Sequence, residues 1–101
     1  MKVLAIEREV PGVTAGQFTA ELLREEARAA WALHQAGLIR ELYFSADQHD
    51  AVLILECSGA EEAQKCLSEL PLVRAGLIRF DVMALVPYDG FARLFDPHPV
   101  Q

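Results

Sequence analysis

The chain carries few side chains that could do chemistry, and their spacing limits what they could do together. His34, His49 and His98 supply imidazole, the side chain best suited to exchange protons near neutral pH. Tyr43 stands two residues from Glu41, so in an extended segment the phenol and the carboxylate share one face. Glu56 closes the apolar run Ala51-Val52-Leu53-Ile54-Leu55, where burial would raise its pKa. Arg40 and Arg79 could each grip a carboxylate with a planar fork, and Trp31 could line a pocket. Such a set offers acid–base groups and anchors for an anion.

Each of these residues also has a plainer reading. His34 could be a hydrogen-bonded core histidine, His49 a solvated turn residue and His98 part of a loose end. Tyr43 and Glu41 are ordinary surface residues if their face points outward, and Glu56 is a solvated strand end. The arginines could pair with acids, and Trp31 could fill a helix–sheet interface. Cys57 and Cys66 are nine residues apart with no histidine at ligand spacing, so no metal site is expected. Cys66 reads as a small buried hydrophobe, since Lys65 points about 100° away around a helix. No phosphate loop or serine elbow is present, and no cofactor is expected.

The elements that must position these residues follow from periodicity. Residues 2–9 form an apolar run closed by Val10-Pro11-Gly12 and read as a strand. Thr14 and Gln17 fit a capping box ahead of a long stretch rich in Ala, Leu, Glu and Arg. Leu23, Ala27, Ala30, Trp31 and His34 form a stripe of that helix, and Gly37 ends it. Residues 38–46 alternate, with Ile39, Glu41, Tyr43 and Ser45 on one face and Leu38, Arg40, Leu42 and Phe44 on the other. Asp47-Gln48-His49-Asp50 then links them to the strand 51–57 as a hairpin. Ser58 and Glu61 mark a second capping box, opening a helix expected to run to about Leu70. Pro71 stops it, 72–76 bridge irregularly, and 78–86 form the last strand.

The order is β-α-β-β-α-β, an α+β ferredoxin-like sandwich with two helices on one face of a four-stranded antiparallel sheet. Residues 1–88 make a single domain and 89–101 a tail. The bare sheet face would be an apolar liability in a lone protomer, and pairing two sheets into a closed barrel would cover both. Phe91, Leu94 and Phe95 are apolar residues placed to dock on a neighbouring subunit.

The chain has 101 residues, 52% of them hydrophobic, with a formal net charge of −6. One compact domain fits that length. The negative field argues against nucleic acid as a partner. No segment approaches the roughly 18 apolar residues of a membrane span, and no signal sequence is evident. A cytoplasmic protein with reduced thiols is expected.

The hairpin, the second helix and the stop Leu70-Pro71-Leu72 resemble the muconolactone isomerase-like family of the dimeric α+β barrel superfamily. The resemblance covers about Ala32 to Tyr88. It implies a homodimeric barrel, often built into larger rings, with a small-molecule pocket in each subunit. The implied chemistry is cofactor-free proton transfer on an unsaturated lactone or related carboxylated catabolite. Family members carry a histidine near the position of His49. They also run their last strand directly into a basic residue, histidine and proline, whereas here His98-Pro99 comes only well after Pro87-Tyr88. On this reading His34, Tyr43, His49 and Glu56 are the candidate catalytic groups, Arg40 anchors a carboxylate and Trp31 lines the site. Two other functions fit the same fold: a ligand-binding or assembly domain without catalysis, and a cofactor-free monooxygenase.

Overall fold

A computed structural model describes residues 1–95, so His98 and the end of the tail lie outside the described residues. The elements are β1 (Lys2–Glu9), α1 (Ala20–Gln35), β2 (Ile39–Phe44), β3 (Ala51–Glu56), α2 (Ala60–Leu67), α3 (Pro71–Arg74) and β4 (Ile78–Ala84), with short 3-10 turns at Ala15–Gln17 and Gly90–Leu94. The four strands form one antiparallel sheet in the order β2-β3-β1-β4, as the ferredoxin-like pattern requires. The tail thus begins with an ordered turn.

Local signals place most element ends. Gly37, at φ +83, closes α1 in a Schellman motif: its N–H donates to the His34 carbonyl and that of Leu38 to the Leu33 carbonyl. Two capping expectations shift. The Thr14–Gln17 pair closes only the 3-10 turn, through Thr14 N–H to Gln17 Oε1 at 2.8 Å, while Thr19 caps α1 by accepting from Leu22 N–H at 3.2 Å. Likewise Glu62, not Glu61, reaches back, accepting from Ser58 N–H at 2.7 Å. Pro71 does not lead into an irregular bridge. It begins α3, because proline at the first helical position loses no hydrogen bond and already has a helical φ.

The core lies between the sheet and the helices. Val3 and Ala5 of β1, Leu53 and Leu55 of β3, and Ile78 and Phe80 of β4 point into it, meeting Ala63 and Leu67 of α2 and Leu70, Leu72 and Leu77 around α3. The expected alternation of β2 fails at one residue. A bulge at Arg40 lets Ile39 pair with Leu55 and Glu41 with Ile54. Two residues therefore face one, and Ile39 joins Leu42 and Phe44 on the helix side, leaving Glu41 and Tyr43 on the open face.

The long helix departs further from expectation. The stripe 23/27/30/31/34 is not the packing face, since Trp31 is 60% exposed and Leu23 45%. Leu22, Ala29 and Leu33 pack against the core instead, and no residue of α1 is fully buried. The helix rests on the domain along a narrow line and leaves space beneath one flank.

Candidate functional site

That space is a cavity of about 950 Å³ between α1 and the sheet, within the range of small-molecule sites. Leu23, Ala27 and Ala30 line it from the helix, Ile39, Leu42, Phe44, Leu53 and Phe80 from the sheet, and Val10, Val13 and Phe18 from the loop after β1. The walls are mostly apolar, so the few polar groups on them stand out. They are Glu7 and Glu9 of β1, Glu26 of α1, Thr14, and Gln48, His49 and Asp50 of the hairpin turn.

Two carboxylates occupy inward positions where an apolar residue would ordinarily sit. Glu7 follows Val3 and Ala5 on the inward phase of β1 and lies opposite Phe80. Its Oε1 accepts from Ala51 N–H at 2.9 Å, meeting a strand-end donor. Glu26 lies on the Leu22–Ala29–Leu33 line of α1, and its Oε1 accepts from Leu72 N–H at 2.9 Å. Burial among apolar walls pushes the Glu26 carboxyl above its ordinary value of 4.5. The Leu72 hydrogen bond opposes that shift and the charge of Glu7 reinforces it. Glu26 is thus a carboxylate made more basic by its surroundings, and its protonated form is a ready donor.

His49 enters the cavity from the turn. Its φ of +57 is left-handed, a conformation that costs a non-glycine residue about 1–2 kcal/mol. The turn holds it there: its N–H donates to the Ser45 carbonyl at 3.0 Å, Ser45 N–H to the Asp50 carbonyl at 2.8 Å, and Asp50 N–H to Ser45 Oγ at 3.0 Å. The imidazole stacks on Phe44, with ring centroids 3.9 Å apart and planes 15° from parallel.

The other expected site residues lie outside the cavity lining. His34 sits beyond the cavity on the same flank of α1. Its Nδ1 lies 2.8 Å from the Ile39 carbonyl, an acceptor, so that nitrogen carries the proton. Trp31 is exposed, 5.9 Å from the His34 ring. Tyr43 is 58% exposed and donates to Glu41 Oε1 at 2.6 Å. That hydrogen bond and the adjacent charge hold its phenol above the ordinary range. Glu56 pairs with the Met1 amine at 2.5 Å and with Lys2 at 3.5 Å, contacts that hold its carboxyl below the usual range. Arg40 turns back to donate from Nε to the Gly37 carbonyl at 2.5 Å. Arg79 and Arg8 both bind Asp81, at 2.6 and 2.8 Å. Of the candidate site residues read from sequence, His49 alone among the described residues lines the cavity. Cys66 is half-buried and burial raises its thiol pKa.

Glu7 and Glu26 were missed although each leaves a signal. Both are charged residues on the apolar phase of their own element. The stripe of Leu23, Ala27, Ala30, Trp31 and His34 reaches the cavity through its first three residues, while Glu26 lies on the adjoining packing line of Leu22, Ala29 and Leu33.

The fold and the site together define a ferredoxin-like α+β domain with an acid-lined apolar cavity beneath its long helix. The chain belongs to the muconolactone delta-isomerase family, whose profile matches residues 3–89. Among solved structures it resembles muconolactone isomerase at 18% identity, with a TM-score of 0.68, covering 99% of this chain and 98% of that one. It also resembles 5-chloro-2-hydroxyhydroquinone dehydrochlorinase from Burkholderia phenoliruptrix, solved with 2,5-dihydroxybenzoquinone. That match has 18% identity, a TM-score of 0.63, and covers 89% of this chain and 98% of that one. No curated protein sequence matches the chain. Among the described residues, no helix is long and apolar enough to cross a membrane.

Proposed function

We propose that this chain is a small catabolic enzyme that moves a proton between carbons of an unsaturated ring, beside a carbonyl, without a cofactor. The observation that carries this reading is Glu26: a carboxylate on an apolar cavity wall, its basicity raised by burial and by Glu7. A base of this kind can take the γ-proton of a ring whose double bond is conjugated with the carbonyl and, once protonated, return it to the α-carbon of the dienolate so formed, which moves the double bond. His49, on the same cavity lining, is the proposed donor to the enolate oxygen that forms between the two transfers. Glu7 keeps Glu26 basic through its charge. Membership of the isomerase family supports the reaction class, as does the fold shared with a dehydrochlorinase that acts on a hydroxylated ring.

Incubation with muconolactone in deuterated buffer, followed by NMR, tests the reading. Deuterium is expected at ring carbons near the carbonyl at a rate far above the protein-free control, and Glu26→Gln should slow it about 10²–10⁴-fold. Exchange no faster than the control would overturn the assignment. Oxygen uptake with a reduced aromatic, or ligand-induced stabilisation without turnover, would favour the monooxygenase or the binding-domain reading.

A further inference from the structure

We infer that the site takes a ring bearing a hydrocarbon substituent of several carbons, received in a pocket formed by Ala27, Ala30, Ile39, Leu42 and Leu53. This rests on the reading of the cavity as the substrate site and narrows its substrate class.

The cavity is divided along its length. β1 and β2 both run antiparallel to β3, so its sheet floor can be followed row by row. Phe44, Ala51, Glu7 and Phe80 make the row beside the hairpin turn, and Glu9, Gln48, His49 and Asp50 line the cavity at that end. Toward the start of β2 the floor continues with Leu42 beside Leu53, then Ile39 beside Leu55. From Ala51 to Leu55 this covers about 13 Å at ~3.3 Å per residue. Overhead, α1 runs the same way. Ala27 and Ala30 follow Glu26 and line the cavity, and their methyl side chains leave space that larger residues would take. His34 Nδ1, 2.8 Å from the Ile39 carbonyl, ties the helix down at the far end.

The walls present apolar surface that the chain's own packing does not cover. Leu23, Leu42 and Phe44 line the cavity yet are 45%, 41% and 61% exposed. The volume of about 950 Å³ lies near the top of the range for small-molecule sites, about 300–1,000 Å³, more than a single small ring fills. With the ring held beside Glu26 and His49, the rest of the ligand lies over Leu42, Leu53 and Ile39. A polar group there would give up hydrogen bonds to water, whereas a hydrocarbon gains from burial.

The test compares muconolactone with homologues carrying methyl, propyl or pentyl at the β-carbon of the ring, which leaves both proton-transfer positions free. Dissociation constants are measured at pH 7 by calorimetry, alongside deuterium exchange by NMR. Each added methylene is expected to tighten binding about two- to fourfold. Ala30→Leu should abolish that gain by filling the pocket, and Leu42→Ala should shift the preference to a longer, heptyl homologue. Affinity that is flat or falls along the series, or a gain unmoved by both substitutions, would overturn the inference. So would a gain that appears only when Phe91→Ala and Phe95→Ala are combined, since a neighbouring copy's tail would then be the occupant. Tightening along the series without exchange above the control would uphold the pocket while removing the proton-transfer reading. Exchange on every homologue with equal affinity would do the reverse.

Discussion

At the scale of single residues, stability and chemistry pull in opposite directions at Glu26. Its carboxyl pKa is raised in the folded chain. The folded state therefore favours the protonated form, and that advantage is lost as pH rises through the shifted value. Glu26→Gln keeps an acceptor for Leu72 N–H but removes the charge. The variant is expected to melt above the parent at pH 7, with the difference fading as pH falls through the raised value and gone below about 4.5, measured by thermal denaturation across pH. His49 offers a second case. His49→Gly relieves the left-handed backbone but gives up the stack on Phe44, so stability should change by less than about 1 kcal/mol. His49→Ala loses the stack without that relief and is expected to be the less stable of the two. Both should lower turnover, and an active, unimpaired His49→Gly protein would remove the histidine from the reaction.

At the scale of elements, hydrophobic period and turn chemistry made most of the architecture legible. The strands at 2–9 and 51–57, the hairpin, Gly37 and the ββ pairing all follow from side-chain alternation and glycine placement. What escaped was phase. Counting by twos along β2 cannot register the extra residue at Arg40, so it groups Ile39 with Glu41 and Tyr43 and leaves open whether that pair faces inward or outward. On α1, Leu23, Trp31 and His34 form the more conspicuous stripe because it holds the larger rings, whereas the shallower line of Leu22, Ala29 and Leu33 does the packing. With the phases misread, the site residues went with them. Helix closure is testable here. Gly37→Ala places a Cβ with Arg40 atoms no closer than 3.8 Å, so crowding is minor, and the left-handed φ alone should cost about 1–2 kcal/mol in chemical denaturation. Phe80→Ala, at a position only 5% exposed, is expected to cost about 3–5 kcal/mol.

At the scale of the whole molecule, the open sheet face is the feature a lone protomer cannot justify. Leu4, Ile6, Val52 and Ile54 are half-buried there beside an exposed Met83, rimmed by the Arg8–Asp81–Arg79 cluster and the Tyr43–Glu41 pair. We propose that a second copy covers it, closing the barrel. Ile54→Glu should convert a dimer into protomers in sedimentation velocity, whereas Phe95→Ala, which removes an 83% exposed ring, should only weaken assembly. An Ile54→Glu chain that sediments like the parent would place the contact elsewhere.

The loose seating of α1 has a kinetic counterpart. A helix that rests on half-buried side chains over a hollow opens more readily than one clamped to a sheet. Its amides should therefore trade hydrogen for deuterium well before those of β1 or β3. A molecule that fills the hollow would act as the missing underside of the helix, slowing that trade along α1 while leaving the strands as they were.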